Sequence, residues 1–205
     1  MKWQSFLARF FNVSESEGIV SDDPSGAETF KTLINERQEK KLAALAGALS
    51  SEDDLGKVIR AHIHIEHELH ELIILAAPSP AHLRPLEKME FFEKVQLALA
   101  FGINAELQPA LNAIGNLRNK FAHKLDMKIG EEEANNLIAT FRGPSKQRLQ
   151  ALLQELANVP SARKVTSEEV ARSKVQAFFI QLFDEVGDER LRLAMEKMRH
   201  WTADC

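Results

Sequence analysis

Between residues 55 and 76 the sequence repeats an apolar pattern at intervals of three and four. Leu55, Val58, His62, Ile65, Leu69, Leu72 and Ala76 all fall on it. An α-helix turns once in 3.6 residues, so positions spaced this way stack into a single stripe. A stripe this regular has to be covered by other helices, like the seam of a bundle. Elsewhere the polar–apolar alternation of a strand is almost missing, and glycines and prolines fall between helically periodic stretches. The expected fold class is therefore all-α. Hydrophobic residues make up 44% of the 205, which suits a sizeable core and argues against a disordered chain.

Punctuation divides the chain into three regions. Residues 1–26 read as an N-terminal segment. Trp3, Phe6, Leu7, Phe10 and Phe11 share one face of a short amphipathic helix suited to docking on the domain or on a second copy, and the turn-rich NVSESEGIVSDDPSG follows as a linker. Residues 27–142 read as a helical bundle and residues 143–205 as a C-terminal helical extension. Within the bundle, helices are expected over 27–49, from a cap at Ser50 or Ser51 to Ala76, over 85–101 with Gly102 as the residue that closes it, over 104–125 and over 131–142. In the extension one helix spans 145–158. A second opens with the capping-box spacing of Thr166 and Glu169 and ends near Gly187. A third is capped by Asp188 and runs to about Trp201.

Several function classes lose their support at once. The single cysteine, Cys205, excludes an intramolecular disulfide and favours a reducing compartment. No apolar run approaches the roughly 18–20 residues of a spanning helix, and Arg9 interrupts the short apolar N-terminus. A cytoplasmic chain with no membrane partner is expected. The net charge of −4 gives no overall field that would draw in nucleic acid. A Gly-rich phosphate loop, a G-x-S-x-G elbow and a cysteine pair are all missing, so no cofactor is implied. A helix-turn-helix unit is not recognisable either. The run HIHIEHELHE (62–71) holds four histidines and three glutamates. They do not share one face, so a solvated helix surface is expected there rather than a metal site, with His62 in the seam.

The segment LRNKFAH (117–123) is the one that carries chemistry. Residues four apart stack on a helix, so Asn119 lies under His123, and Asp126 extends that ridge if the helix continues. Arg118 stands five positions before His123, about 140° away around the axis, so a straight helix cannot aim both at one point. A second copy across a two-fold axis would supply the missing half. The same residues also suit a structural lock. A buried arginine needs a carboxylate, and Glu66 at the edge of the seam is the expected partner of Arg118.

Arg118, Asn119 and His123, together with IEHELHELI (65–73) and FFEKVQLALAFGI (91–103), resemble the HEPN superfamily, in particular its mannitol-operon-repressor-like (MltR-like) branch. The resemblance covers about residues 50–140 and leaves out 1–49 and 143–205. It implies an HEPN-like helical bundle with N- and C-terminal helical additions. For function it implies two things. Some members are regulatory or interaction modules that act without a recognisable DNA-binding motif. Others are metal-independent endoribonucleases in which the motifs of two protomers meet. There, a histidine at the position of His123 would move a proton, an arginine at Arg118 would stabilise the charged phosphorane, and Asn119 would orient the histidine or bind phosphate. The expected partners are accordingly a second copy of the chain and either a protein or RNA. The regulatory role is the first expectation.

Overall fold

The structure, a computed structural model, describes residues 24–124, 126–158 and 165–203. Among these the regular elements are all helical. Helix α1 is Pro24–Ser50, α2 Asp54–Ala76, α3 Phe91–Ala100, α4 Gln108–His123, α5 Glu131–Ile138, α6 Gly143–Ala157 and α7 Ser167–Ala203. Short 3-10 turns occupy Pro80–His82, Leu86–Lys88 and Ala105–Leu107. The chain divides into two compact units, Met1–Ala43 and Ala44–Cys205. The expected helix over residues 1–11 lies outside the described residues. The described part of the first unit is helical, and residues 32 and 35–43 are exposed or half-buried. Everything below concerns the second unit.

Helices α2 and α7 are the most extensively packed pair and form the centre of this unit. The seam of α2 supplies Val58, Ala61, Ile65, Leu69 and Leu72, all inaccessible to solvent, and α7 meets it with Val175, Phe178, Phe179, Leu182, Phe183 and Val186. Phe178 stacks against Phe141 at 5.2 Å and against Phe179 at 5.9 Å, in tilted and edge-on arrangements that suit the ring quadrupoles. The remaining helices cover this pair, with α3 and α4 on α2 and with α5 and α6 on α7. The region read as a C-terminal extension therefore contributes the central helix of the unit. The seam is shorter than its sequence pattern, because Leu55 is 47% exposed.

Helix boundaries follow local chemistry. Asp53, rather than Ser50 or Ser51, caps α2, accepting the Gly56 N–H at 2.7 Å. A carboxylate there also faces the positive end of the helix dipole. The expected helix over 85–101 begins later, at Phe91, where the Glu93 side chain accepts the Glu90 N–H at 2.7 Å. Gly102 closes α3 as expected, with φ of +91°, a conformation other residues adopt at a cost. Thr166 and Glu169 form the expected capping box at the start of α7.

The largest departure is in α7, which is one helix and not two. Gly187 and Asp188 sit inside it. An interior glycine costs about 1 kcal/mol relative to alanine. Val186, Arg190 and Ala194 on either side are buried against the bundle, and that packing keeps the helix continuous. Arg190 is 3% exposed and spans Glu68, 1% exposed, and Glu71 on α2 at 3.1 and 3.0 Å. The Arg190 Nε and Glu68 Oε2 meet as charges rather than as an aligned hydrogen bond.

Candidate functional site

Helix α4 is amphipathic. Ala110, Leu111, Ile114, Leu117 and Phe121 face the core, while Asn116, Arg118, Asn119, Lys120 and His123 are exposed. Gly115 sets how close α4 lies to α3. A Cβ at that position would stand 2.8 Å from Cζ of Phe92 and 3.0 Å from Cδ1 of Phe91, inside contact distance. The motif is therefore carried on a helix pressed against the bundle, with its polar residues pointing outward.

Arg118 and His123 look to different surroundings, as the helical spacing requires. The Arg118 guanidinium donates to Oδ1 of Asn119 at 3.2 Å, and among the described residues no carboxylate lies within ion-pair distance of it. The expected Glu66–Arg118 pair does not form. Glu66 instead accepts from the Nζ of Lys94 on α3 at 2.5 Å and stands 3.7 Å from Nδ1 of His62. Lys94 is 4% exposed, so its ammonium has the greater need of a carboxylate, whereas Arg118 remains solvated. Sequence reasoning missed Lys94. It lies three residues after Phe91 and four before Ala98, both buried, so the helical spacing already placed a cation on the inner face of α3.

His62 occupies the seam as expected. Its ring lies 4.4 Å from that of Phe91. Burial pushes its proton affinity below the ordinary imidazole value. Glu66 opposes this, and the positive charges of Arg118 and Lys94 add to it. The other histidines of the 62–71 run disperse. The rings of His64 and Phe183 lie 6.2 Å apart, His67 pairs with Glu71 at 3.1 Å and His70 lies 3.9 Å from Glu87. Among the described residues no group of three or more His, Cys, Asp or Glu side chains is placed to hold a metal ion.

His123 ends α4. Lys124 follows in an extended conformation, with φ of −132° and ψ of 105°, so the ridge of Asn119 and His123 does not continue helically to Asp126. The chain turns instead toward α5, and the loop is tied down where Ile129 N–H donates to Asp54 at 2.9 Å. Asp54 also accepts from Nε of Arg172 at 2.7 Å, so one carboxylate joins the start of α2, the loop after the motif and α7. Between α4 and α5 this leaves an open cleft of about 530 Å³. Asn119, Lys120, His123 and Lys124 line one side and Glu133, Asn136 and Leu137 the other. Arg118 is not among its lining residues. Glu133 and Asn136 carried no signal in the sequence, because only the turn at Lys124 brings them to the motif.

Among the described residues no helix is long and apolar enough to cross a membrane. No family model, curated protein or solved structure matches the chain.

Proposed function

We propose that this chain is a cytoplasmic regulatory or interaction protein of the mannitol-operon-repressor-like HEPN type, acting through the exposed polar face of α4. One observation carries the reading. Arg118 is solvent-exposed and, among the described residues, bonds to its neighbour Asn119, while the carboxylate expected to lock it into the core, Glu66, pairs with Lys94. An exposed arginine held this way presents a planar, weakly hydrated fork that a partner can reach. Within one copy the arginine and histidine do not converge, and Glu133 enters the cleft that holds His123. Both features favour recognition over acid–base chemistry. Effects on gene expression would then pass through a protein partner. The test is transcript profiling of the native host lacking the protein and complemented with wild type or Arg118→Ala. Wild type should restore the profile and Arg118→Ala should not, with the two proteins equally abundant. Equal restoration by both would overturn the reading.

The exposure of Arg118 and Asn119 also favours a second reading, a metal-independent endoribonuclease in which two copies bring Arg118 of one toward His123 of the other. It requires a homodimer, so light scattering would give about twice the 23.1 kDa chain mass.

A further inference from the structure

We propose that α2 carries one half of a zinc site, His67 and Glu71, and that a second copy of the chain completes it across a two-fold axis. The inference goes beyond the regulatory reading and does not rest on it, since both residues lie outside α4 and the cleft beside it. Besides its buried seam, α2 carries a second stripe. Ile63, His67, His70 and Ile74 fall at intervals of four, three and four, the spacing of a contact between two helices. Ile63 is 57% exposed, His67 is exposed, and His70 and Ile74 are half-buried. The isoleucines bracket the histidines by about one helical turn on each side, so a second α2 finds apolar ground around a polar centre.

That centre holds a pair of ligands. Nε2 of His67 stands 3.1 Å from Oε1 of Glu71, one turn further along the helix. Two donors on one tetrahedral zinc, at bond lengths of about 2.0–2.2 Å, lie roughly 3.3–3.5 Å apart, so a widening of about 0.2–0.4 Å admits the ion. The other oxygen of Glu71 lies 3.0 Å from Nη1 of Arg190, which is 3% exposed. This buried grip fixes the carboxylate with Oε1 toward His67, the outer support that a ligating carboxylate needs. His70 and Glu87 are 3.9 Å apart and Glu87 is 72% exposed, so that pair is neither close nor held.

One copy supplies only two of the four donors a tetrahedral zinc takes. Among the described residues no group of three or more His, Cys, Asp or Glu side chains is placed around one point. Two copies related by a two-fold axis supply His67 and Glu71 twice, which closes the tetrahedron, and the two carboxylates balance the charge of the ion. Imidazole with carboxylate suits zinc, whereas magnesium and calcium take a larger set of oxygen ligands.

The experiment is light scattering of the full chain at about pH 7.5, where imidazole is available as a ligand, first in EDTA and then with zinc chloride at about 100 µM. Zinc should double whatever mass the chain shows in EDTA, and isothermal titration should give one zinc per two chains. Magnesium and calcium at the same concentration should leave the mass unchanged. His67→Ala removes a side chain that is 66% exposed, so the fold is kept. It should abolish the doubling and weaken zinc binding about tenfold or more. Ile63→Glu keeps both ligands but puts a charge into the contact, and should raise the protein concentration needed for doubling at least about tenfold. His82→Ala, at an exposed histidine outside α2, should behave as wild type. Circular dichroism confirms that each variant keeps its helix content. Because the doubling is measured against the mass in EDTA, a zinc-independent dimer is read separately and bears only on the nuclease reading. The proposal is overturned by a mass that zinc does not change, or by a titration that gives one or more zinc ions per chain. Doubling that ignores His67→Ala or Ile63→Glu, or that is lost in His82→Ala, overturns it as well.

Discussion

Replacing Arg190 with methionine should destabilise the bundle strongly. The guanidinium is 3% exposed and stands between Glu68, 1% exposed, and the partly buried Glu71. Methionine fills similar space but takes away the cation, leaving the Glu68 carboxylate inside the α2–α7 contact without it. Removing one partner of a buried pair costs about 3–5 kcal/mol, much of it the penalty of the charge left behind. For a unit of this size about 1 kcal/mol moves the melting midpoint by roughly 2–4 °C, so the expected drop is about 6–20 °C. The same reasoning predicts recovery. The double variant Glu68→Leu/Arg190→Met replaces the ion pair by apolar contacts and should regain most of the loss. The assay is thermal unfolding followed by circular dichroism at neutral pH. A drop of less than about 2 °C for Arg190→Met, smaller than 1 kcal/mol would produce, would refute the reasoning, as would a double variant no better than the single one.

Asp54→Ala should cost about 2 kcal/mol, because it removes the acceptor of Ile129 N–H and the partner of the one-third-exposed Arg172; faster amide exchange at Ile129 is the local readout. Gly115→Ala should destabilise by about 1–3 kcal/mol in denaturant titration, since its Cβ meets Phe92 and Phe91 and the helix-propensity gain of about 1 kcal/mol only partly offsets the clash. Stability should fall as pH drops from about 7.5 to about 5.5. Burial lowers the proton affinity of His62, so below about pH 6.5 the unfolded chain binds more protons than the folded one and gains on acidification. His70 is shifted the same way, so His62→Gln should reduce this slope without abolishing it, as urea titrations across the range will show. Asp184 is raised by burial and by the charge of Glu185, and Asp188 by burial and by the charges of Asp184 and Glu185, so both act in the opposite sense, but at the lower pH of the carboxylate range.

The parts of this fold that were legible in the sequence are those that depend on neighbours along the chain. The α2 seam from Val58 to Leu72, the closing glycine at 102 and the Thr166–Glu169 box each express a spacing of a few residues. Gly187 and Asp188 look like a helix boundary by the same logic, and the logic fails because the burial of Val186, Arg190 and Ala194 outweighs a local cost of about 1 kcal/mol. At the candidate site, the divergence of Arg118 and His123 followed from helical angles alone. Its surroundings did not. Whether Glu66 chooses Lys94 or Arg118 is decided by which cation is desolvated, and the sequence does not display that competition directly. Glu133 and Asn136 reach His123 through the turn at Lys124, a tertiary event with no periodic signature.

The most direct test of the regulatory account is incubation of purified protein with a broad set of RNAs, in EDTA and in magnesium, followed by analysis of the RNA ends. The account predicts intact RNA in both conditions at every protein concentration, because one copy does not bring an arginine and a histidine onto the same phosphate. Cleavage that persists in EDTA, leaves 2′,3′-cyclic phosphate ends and disappears in His123→Ala would contradict it and establish the nuclease reading. Acid–base help of that kind is worth about 10²–10⁴-fold, so the difference between the two outcomes would be large.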